Sequence, residues 1–124
     1  MDDVNEVLRR LKKAKAPHRT LDIMIGLLAG YSRTFEQLLP GETEKVSPVF
    51  IDKSGQRTKM PDYTRNLDEA VALAETLMPG TPVAFTWEGE VYRAQVWDAP
   101  PAEAPDLSLA ICTAIFEAYA MQSP

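Results

Sequence analysis

Two short stretches bring a cation, a cap residue and a carboxylate to what reads as a helix start: Arg19-Thr20-Leu21-Asp22 and Arg65-Asn66-Leu67-Asp68. A helix leaves its first backbone N–H groups unpaired, and its dipole makes that end positive. Thr20 and Asn66 are placed to cap those groups, and Asp22 and Asp68 put a carboxylate in the first turn. In the second copy Glu69 follows Asn66 by three residues, the spacing of a capping box. Capping accounts for both aspartates without any ligand. The alternative is an anion site in which Arg19 and Arg65 join the exposed N–H groups and Tyr63 stacks on a base. A second pair has related chemistry. Arg93 and Trp97 fall on one face of an alternating strand, where an arginine beside a tryptophan holds a flat anionic ligand or covers a packed ring. The expected ligand-binding residues are therefore Arg19, Tyr63, Arg65, Arg93 and Trp97.

Other chemistries lack their residues. His18 is the single histidine and Cys112 the single cysteine, so no spacing suggests a nucleophile with its base, and a structural zinc site lacks ligands. The six glycines are scattered, with no phosphate-binding loop among them. Paired carboxylates gain no support beyond the acidity of the chain. The expectation is a protein with no catalytic residues, no metal and no cofactor.

The elements that must position these side chains follow from periodicity. Val4, Val7 and Leu8 recur at helical spacing before the basic run Arg9-Arg10-Leu11-Lys12-Lys13-Ala14-Lys15, giving an amphipathic basic helix over 1–17. Its basic face is either simply solvated or meets the acidic half of a second subunit. A helix from Leu21 to about Ala29 stops at Gly30. Phe35, Leu38 and Leu39 extend a helical turn or pack under a loop, and Pro40-Gly41 marks a turn. Val49-Phe50-Ile51, the Asp52-Lys53-Ser54-Gly55 turn and Arg57 to Met60 read as a hairpin. The second repeat helix ends near Leu77 before Pro79-Gly80. Val83 to Trp87 and Val91 to Trp97 form a second hairpin through Glu88-Gly89-Glu90, with Tyr92, Ala94 and Val96 sharing one face. Pro100 to Pro105 reads as a stiff linker. Leu107, Ala110, Ile111, Ala114, Ile115 and Ala118 then make a long amphipathic helix capped by Asp106. The fold class expected is α+β: a compact helix-sheet-helix sandwich with small antiparallel hairpins and a long C-terminal helix, one domain over 18–124 behind the basic helix.

Charge narrows the partners. Residues 1–65 hold 12 Lys+Arg against 9 Asp+Glu, whereas residues 66–124 hold a single arginine against 9 acids. That balance argues against duplex nucleic acid, whose phosphates would require the opposite sign. The longest apolar run, Ile23 to Ala29, is too short for a bilayer, and the acidic Met1-Asp2-Asp3 opening is unlike a secretory leader. With one buried-type thiol, these features predict a cytoplasmic protein without a membrane partner. Small sheets with open edges favour a homodimer or higher homo-oligomer.

The first Arg-x-Leu-Asp start, the segment Pro61-Asp62-Tyr63-Thr64-Arg65-Asn66-Leu67-Asp68-Glu69-Ala70-Val71-Ala72-Leu73 and the closing Ala104-Pro105-Asp106-Leu107-Ser108-Leu109-Ala110-Ile111-Cys112 resemble the phage ABA sandwich domain proteins. The likeness runs over about residues 18–121, and residues 31–47 and the basic helix depart from it. It implies helix-sheet-helix layering, a phage or prophage origin in an infected bacterial cell, and no established catalytic residues. By analogy it leads to two expectations. One is non-enzymatic capture of a nucleotide signal of host defence, an ADP-ribose derivative or cyclic oligonucleotide, which would evade anti-phage defence. The other is a protein interaction or assembly module without a small ligand.

Overall fold

A computed structural model describes residues 2–35 and 48–122. Within them the order is α1 (Asp2–Lys13), α2 (Arg19–Ala29), β1 (Ser32–Phe35), β2 (Pro48–Ile51), β3 (Arg57–Thr58), α3 (Leu67–Leu77), β4 (Val83–Glu88), β5 (Val91–Val96), β6 (Ala102–Ala104) and α4 (Leu107–Gln122). This is an α+β fold with two antiparallel three-stranded sheets, ordered β1-β2-β3 and β4-β5-β6. Both expected hairpins are present, and each gains a third strand. The 32–35 segment pairs with β2, so Phe35 belongs to a strand; Leu38, Leu39, Pro40 and Gly41 lie outside the described residues. The proline-rich 100–105 stretch is more than a linker. Its prolines flank Ala102-Glu103-Ala104, whose backbone is free to pair with Tyr92, Arg93 and Ala94.

Helix α4 holds the molecule together. It packs against β5 and β6 on one side and against α1 and α3 on the other. Every residue from Ser108 to Phe116 is buried, so the helix is apolar on all sides rather than amphipathic as its alanine and isoleucine stripe suggested; Leu109, Cys112 and Phe116 fill the opposite face. Close approach to the sheet is possible because the β5 and β6 residues beneath α4, Ala94 and Ala102, are small. Among the described residues the sheet is covered on this face alone: Val91 and Arg93 on the other face are exposed.

The basic helix is part of the same core. Val4, Val7 and Leu11 are each no more than 2 % exposed and join the central cluster, so the boundary expected at residue 17 separates two segments that share one interior. Arg9 and Arg10 close on Glu6 within the helix, and Lys12 Nζ reaches Glu117 Oε1 of α4 at 2.6 Å. The basic face thus meets its acidic complement inside one chain.

Asn66 caps α3, its Oδ1 accepting from Glu69 N at 3.1 Å, and Asp106 caps α4 by accepting from Leu109 N at 3.1 Å. The capping box at Asn66 is only half formed, because Asn66 N donates to the Asp62 carbonyl instead of to Glu69. At α2 the cap is His18, not Thr20: the imidazole Nδ1 accepts from Thr20 N at 3.1 Å, so the helix begins two residues early, at Arg19. Gly30 ends α2 at φ 116, as its C-cap role requires. Gly26, inside α2, has a different reason to be glycine: a Cβ there would collide with Met60 Sδ, which lies on the helix backbone.

Candidate functional site

The first Arg-x-Leu-Asp start is bound to the loop that precedes the second. Asp22 Oδ1 accepts from Thr64 N at 2.8 Å and from Thr64 Oγ1 at 2.7 Å, while Thr64 Oγ1 accepts from His18 N at 3.0 Å. Asp22 and Thr64 are 3 % and 0 % exposed, so these bonds are made out of water. One residue earlier, Cys112 Sγ donates to the Tyr63 carbonyl at 3.3 Å, which ties the same loop to α4. Burial pushes the Cys112 thiol well above the usual thiol range, with the nearby Asp22 and Asp106 carboxylates adding to it. The Tyr63-Thr64-Arg65 motif is thereby a three-way staple between α2, α3 and α4.

This placement separates the five expected ligand residues. Tyr63 is 4 % exposed, and its phenol is pushed up first by burial and then by the adjacent Tyr31. It forms part of the wall of a 330 Å³ cavity with Tyr31, Asp52, Lys53 and Glu69, and its ring is not presented for stacking on a base beside Arg65. Arg19 Nη1 is held by Asp62 Oδ1 at 2.8 Å, with Asp22 Oδ2 at 3.7 Å. Arg65 is exposed and lines none of these cavities. Arg93 lies across the outer sheet face, paired with Glu103 at 3.1 Å. Trp97 does not share that face. Strand β5 ends at Val96, and Trp97 turns away in the left-handed region at φ 52, leaving its ring 67 % exposed beside a 450 Å³ cavity lined by Met78, Pro82 and Met121. A non-glycine residue there is uncommon, and it redirects the ring away from Arg93.

Arg19 has company of another kind. It rims an open 500 Å³ cavity with Arg57 and Lys59, over a floor containing Val49, Phe50 and Met60. Arg57 and Lys59 belong to the first hairpin, whose turn is set by Asp52: its Oδ1 accepts from Ser54 Oγ, Ser54 N and Gln56 N at 2.6, 2.9 and 3.0 Å. Those bonds, the Ser54 hydroxyl foremost, hold the Asp52 carboxyl below its ordinary value.

A second exposed apolar feature, apart from Trp97 and Met121, was not singled out from sequence. Strand β4 pairs Phe85 with Ala94 and Trp87 with Tyr92, so its aromatic rings project on the same face as the core residues of β5. Yet Phe85 is 43 % and Trp87 65 % exposed, because α4 lies over the small residues of β5 and β6 and β4 overhangs its flank. Val91, on the opposite face at the hairpin turn, is 46 % exposed. Alternation alone assigns Phe85 and Trp87 to the core. The signal that separates them is size: alanines sit where a helix must come close, and large rings sit in the strand beyond its reach.

No family model, no curated protein and no solved structure matches this chain. Among the described residues no group of three or more His, Cys, Asp or Glu is placed to hold a metal ion, and no helix is long and apolar enough to cross a membrane.

Proposed function

We propose that this chain works by binding rather than by catalysis, as a protein interaction module whose working surface is the aromatic rim of β4. The observation that carries this reading is the pair Phe85 and Trp87, large rings left without cover on a face whose other residues are core. Exposed apolar surface of this kind costs solubility unless a partner covers it, and aromatic side chains dominate interface energetics. The test is a photo-crosslinking residue placed at Trp87 and, as a control, at exposed Lys15, which follows α1 outside the sheet. Adducts of defined mass are expected at position 87 and not at 15. No adduct at 87, or equal labelling at both, refutes the reading.

The cavity rimmed by Arg19, Arg57 and Lys59 favours a second reading, capture of a nucleotide-derived anion such as an ADP-ribose derivative or a cyclic oligonucleotide. Three cations around an apolar floor suit a phosphate-bearing ring system, and the resemblance to phage ABA sandwich proteins would place such capture in an infected bacterial cell. Calorimetry with ADP-ribose and a cyclic dinucleotide tests it. Binding is expected to weaken at least tenfold in Lys59→Glu and to persist in Arg65→Ala, because Arg65 lies outside the cavity. No heat from any such ligand, together with purified protein whose absorbance at 260 nm shows no bound nucleotide, ends this reading.

A further inference from the structure

The two edges of the β4-β5-β6 sheet are treated in opposite ways. Edge strand β6 is three residues long, carries Glu103 at its centre and is enclosed by Pro100, Pro101 and Pro105. Short length, charge and proline are the devices that stop an edge from recruiting another strand. Edge strand β4 is twice as long, has a proline only before it, at Pro82, and carries one charge, Glu88, at its last residue. Its backbone is available as well. Trp97 N donates to the Pro82 carbonyl at 3.0 Å, and antiparallel alternation from that bond makes Ala84, Thr86 and Glu88 the residues that bond β5. The N–H and C=O groups of Val83, Phe85 and Trp87 therefore point outward from the edge.

We propose that β4 pairs antiparallel with β4 of a second copy of this chain, about a two-fold axis normal to the sheet, joining two three-stranded sheets into one. This deepens the interaction reading given above, rests on it, and names the partner. An axis of that kind keeps each face on its own side, so opposed residues must share a face. With Phe85 at the axis, Val83 opposes Trp87 of the second copy, and the outward groups form about six main-chain hydrogen bonds. The rings of Phe85 and Trp87 from both copies then fill the space between the two α4 helices. At 43 % and 65 % exposure these rings leave on the order of 500 Å² to cover in two copies, roughly a third of a standard interface before the backbone edges are counted. Glu88 does not oppose the match: it faces Pro82 of the second copy, and the two Glu88 carboxylates stand six residues apart along the ladder, about 20 Å and beyond the screening length of physiological salt.

Sedimentation velocity on the full chain over a concentration series tests the pairing. The wild type is expected to double in mass. Trp87→Lys, which puts a charge among the rings, and Phe85→Pro, which removes one outward N–H while leaving the bonds to β5, are each expected to stay monomeric with circular dichroism unchanged. In a Trp97→Phe background Trp87 is the sole tryptophan, and its emission is expected to shift to the blue as the dimer forms. A wild type that stays monomeric up to millimolar concentration overturns the self-pairing, as does a dimer that survives both edge substitutions. These outcomes are separable from failure of the broader reading: a monomeric wild type that still gives heterologous adducts at position 87 leaves β4 a docking strand for a different protein, whereas no adduct at all removes both.

Discussion

The two Arg-x-Leu-Asp helix starts share three residues and almost none of their interactions. At α2 the aspartate is buried and accepts both Thr64 bonds on Oδ1, the arginine is held by Asp62, and the cap comes from His18 outside the motif. At α3 the aspartate and arginine face water, and the cap residue inside the motif bonds the helix. The difference lies in what each start abuts. Helix α2 begins against the loop 61–65, which must turn inside the protein and needs an acceptor for a buried N–H and hydroxyl. Helix α3 begins at the surface, where the Asn66 cap serves Glu69 N and no buried loop has to be bonded. A repeated motif here marks a repeated local structure, a helix entry, and not a repeated function.

The comparison breaks most sharply at the aspartates. Asp22→Ala strands the Thr64 N–H in the interior and leaves the Thr64 hydroxyl only the long bond to the His18 carbonyl at 3.4 Å, and an unpaired buried group costs about 1–3 kcal/mol. Together the two losses are expected to lower stability by about 3 kcal/mol, a fall of roughly 10 °C or more in Tm for a chain of this size. Asp68→Ala removes only a first-turn charge at the surface and is expected to cost no more than about 0.5 kcal/mol. Denaturant unfolding of both variants settles it: equal costs would mean that the Asp22–Thr64 pair does not hold α2 to the loop. Thr64→Val in the Asp22→Ala background sharpens the point: it removes the hydroxyl but also the acceptor of His18 N, so little of the loss is expected to be recovered.

How much of this was readable without coordinates depends on the range of the interaction. Caps at Asn66 and Asp106, the stops at Gly30 and Pro79-Gly80, and the β4–β5 hairpin all follow from residues within a few positions of each other. The Asp22–Thr64 and Cys112–Tyr63 bonds span 42 and 49 residues, and no local pattern announces them. For that reason Tyr63, Arg65 and Arg19 read as a ligand site when two of the three are taken up in folding contacts. Trp97 escaped for a different reason: strict alternation carries it onto the face of Arg93, but the strand stops one residue short and a left-handed turn sends it elsewhere. The β4 rim was hidden by the opposite error, since alternation is obeyed there while the covering helix is narrower than the sheet.

The caps come next in size. Asn66→Ala is expected to cost about 1 kcal/mol, because its side chain is the acceptor for Glu69 N, whereas Thr20→Ala is expected to stay within about 0.5 kcal/mol, because His18 already does that work at α2. Unfolding midpoints of both variants measured side by side are the check. A larger loss for Thr20→Ala would return the α2 cap to the motif and restore the symmetry of the two starts.

The arginines give the smallest and most conditional difference. Arg19 and Asp62 form an ion pair at 2.8 Å with both side chains about half exposed, a geometry worth a few tenths of a kcal/mol once solvent screening is allowed for. Arg65 forms no ion pair among the described residues. Arg19→Ala is therefore expected to lower the unfolding midpoint slightly in dilute buffer and to become indistinguishable from wild type in 1 M salt, where the screening length falls to about 3 Å. Arg65→Ala is expected to match wild type in both. If salt leaves the Arg19→Ala deficit unchanged, the arginine acts through the packing of its stem over the first hairpin and not through charge, and its place on the rim of the basic cavity would then be structural.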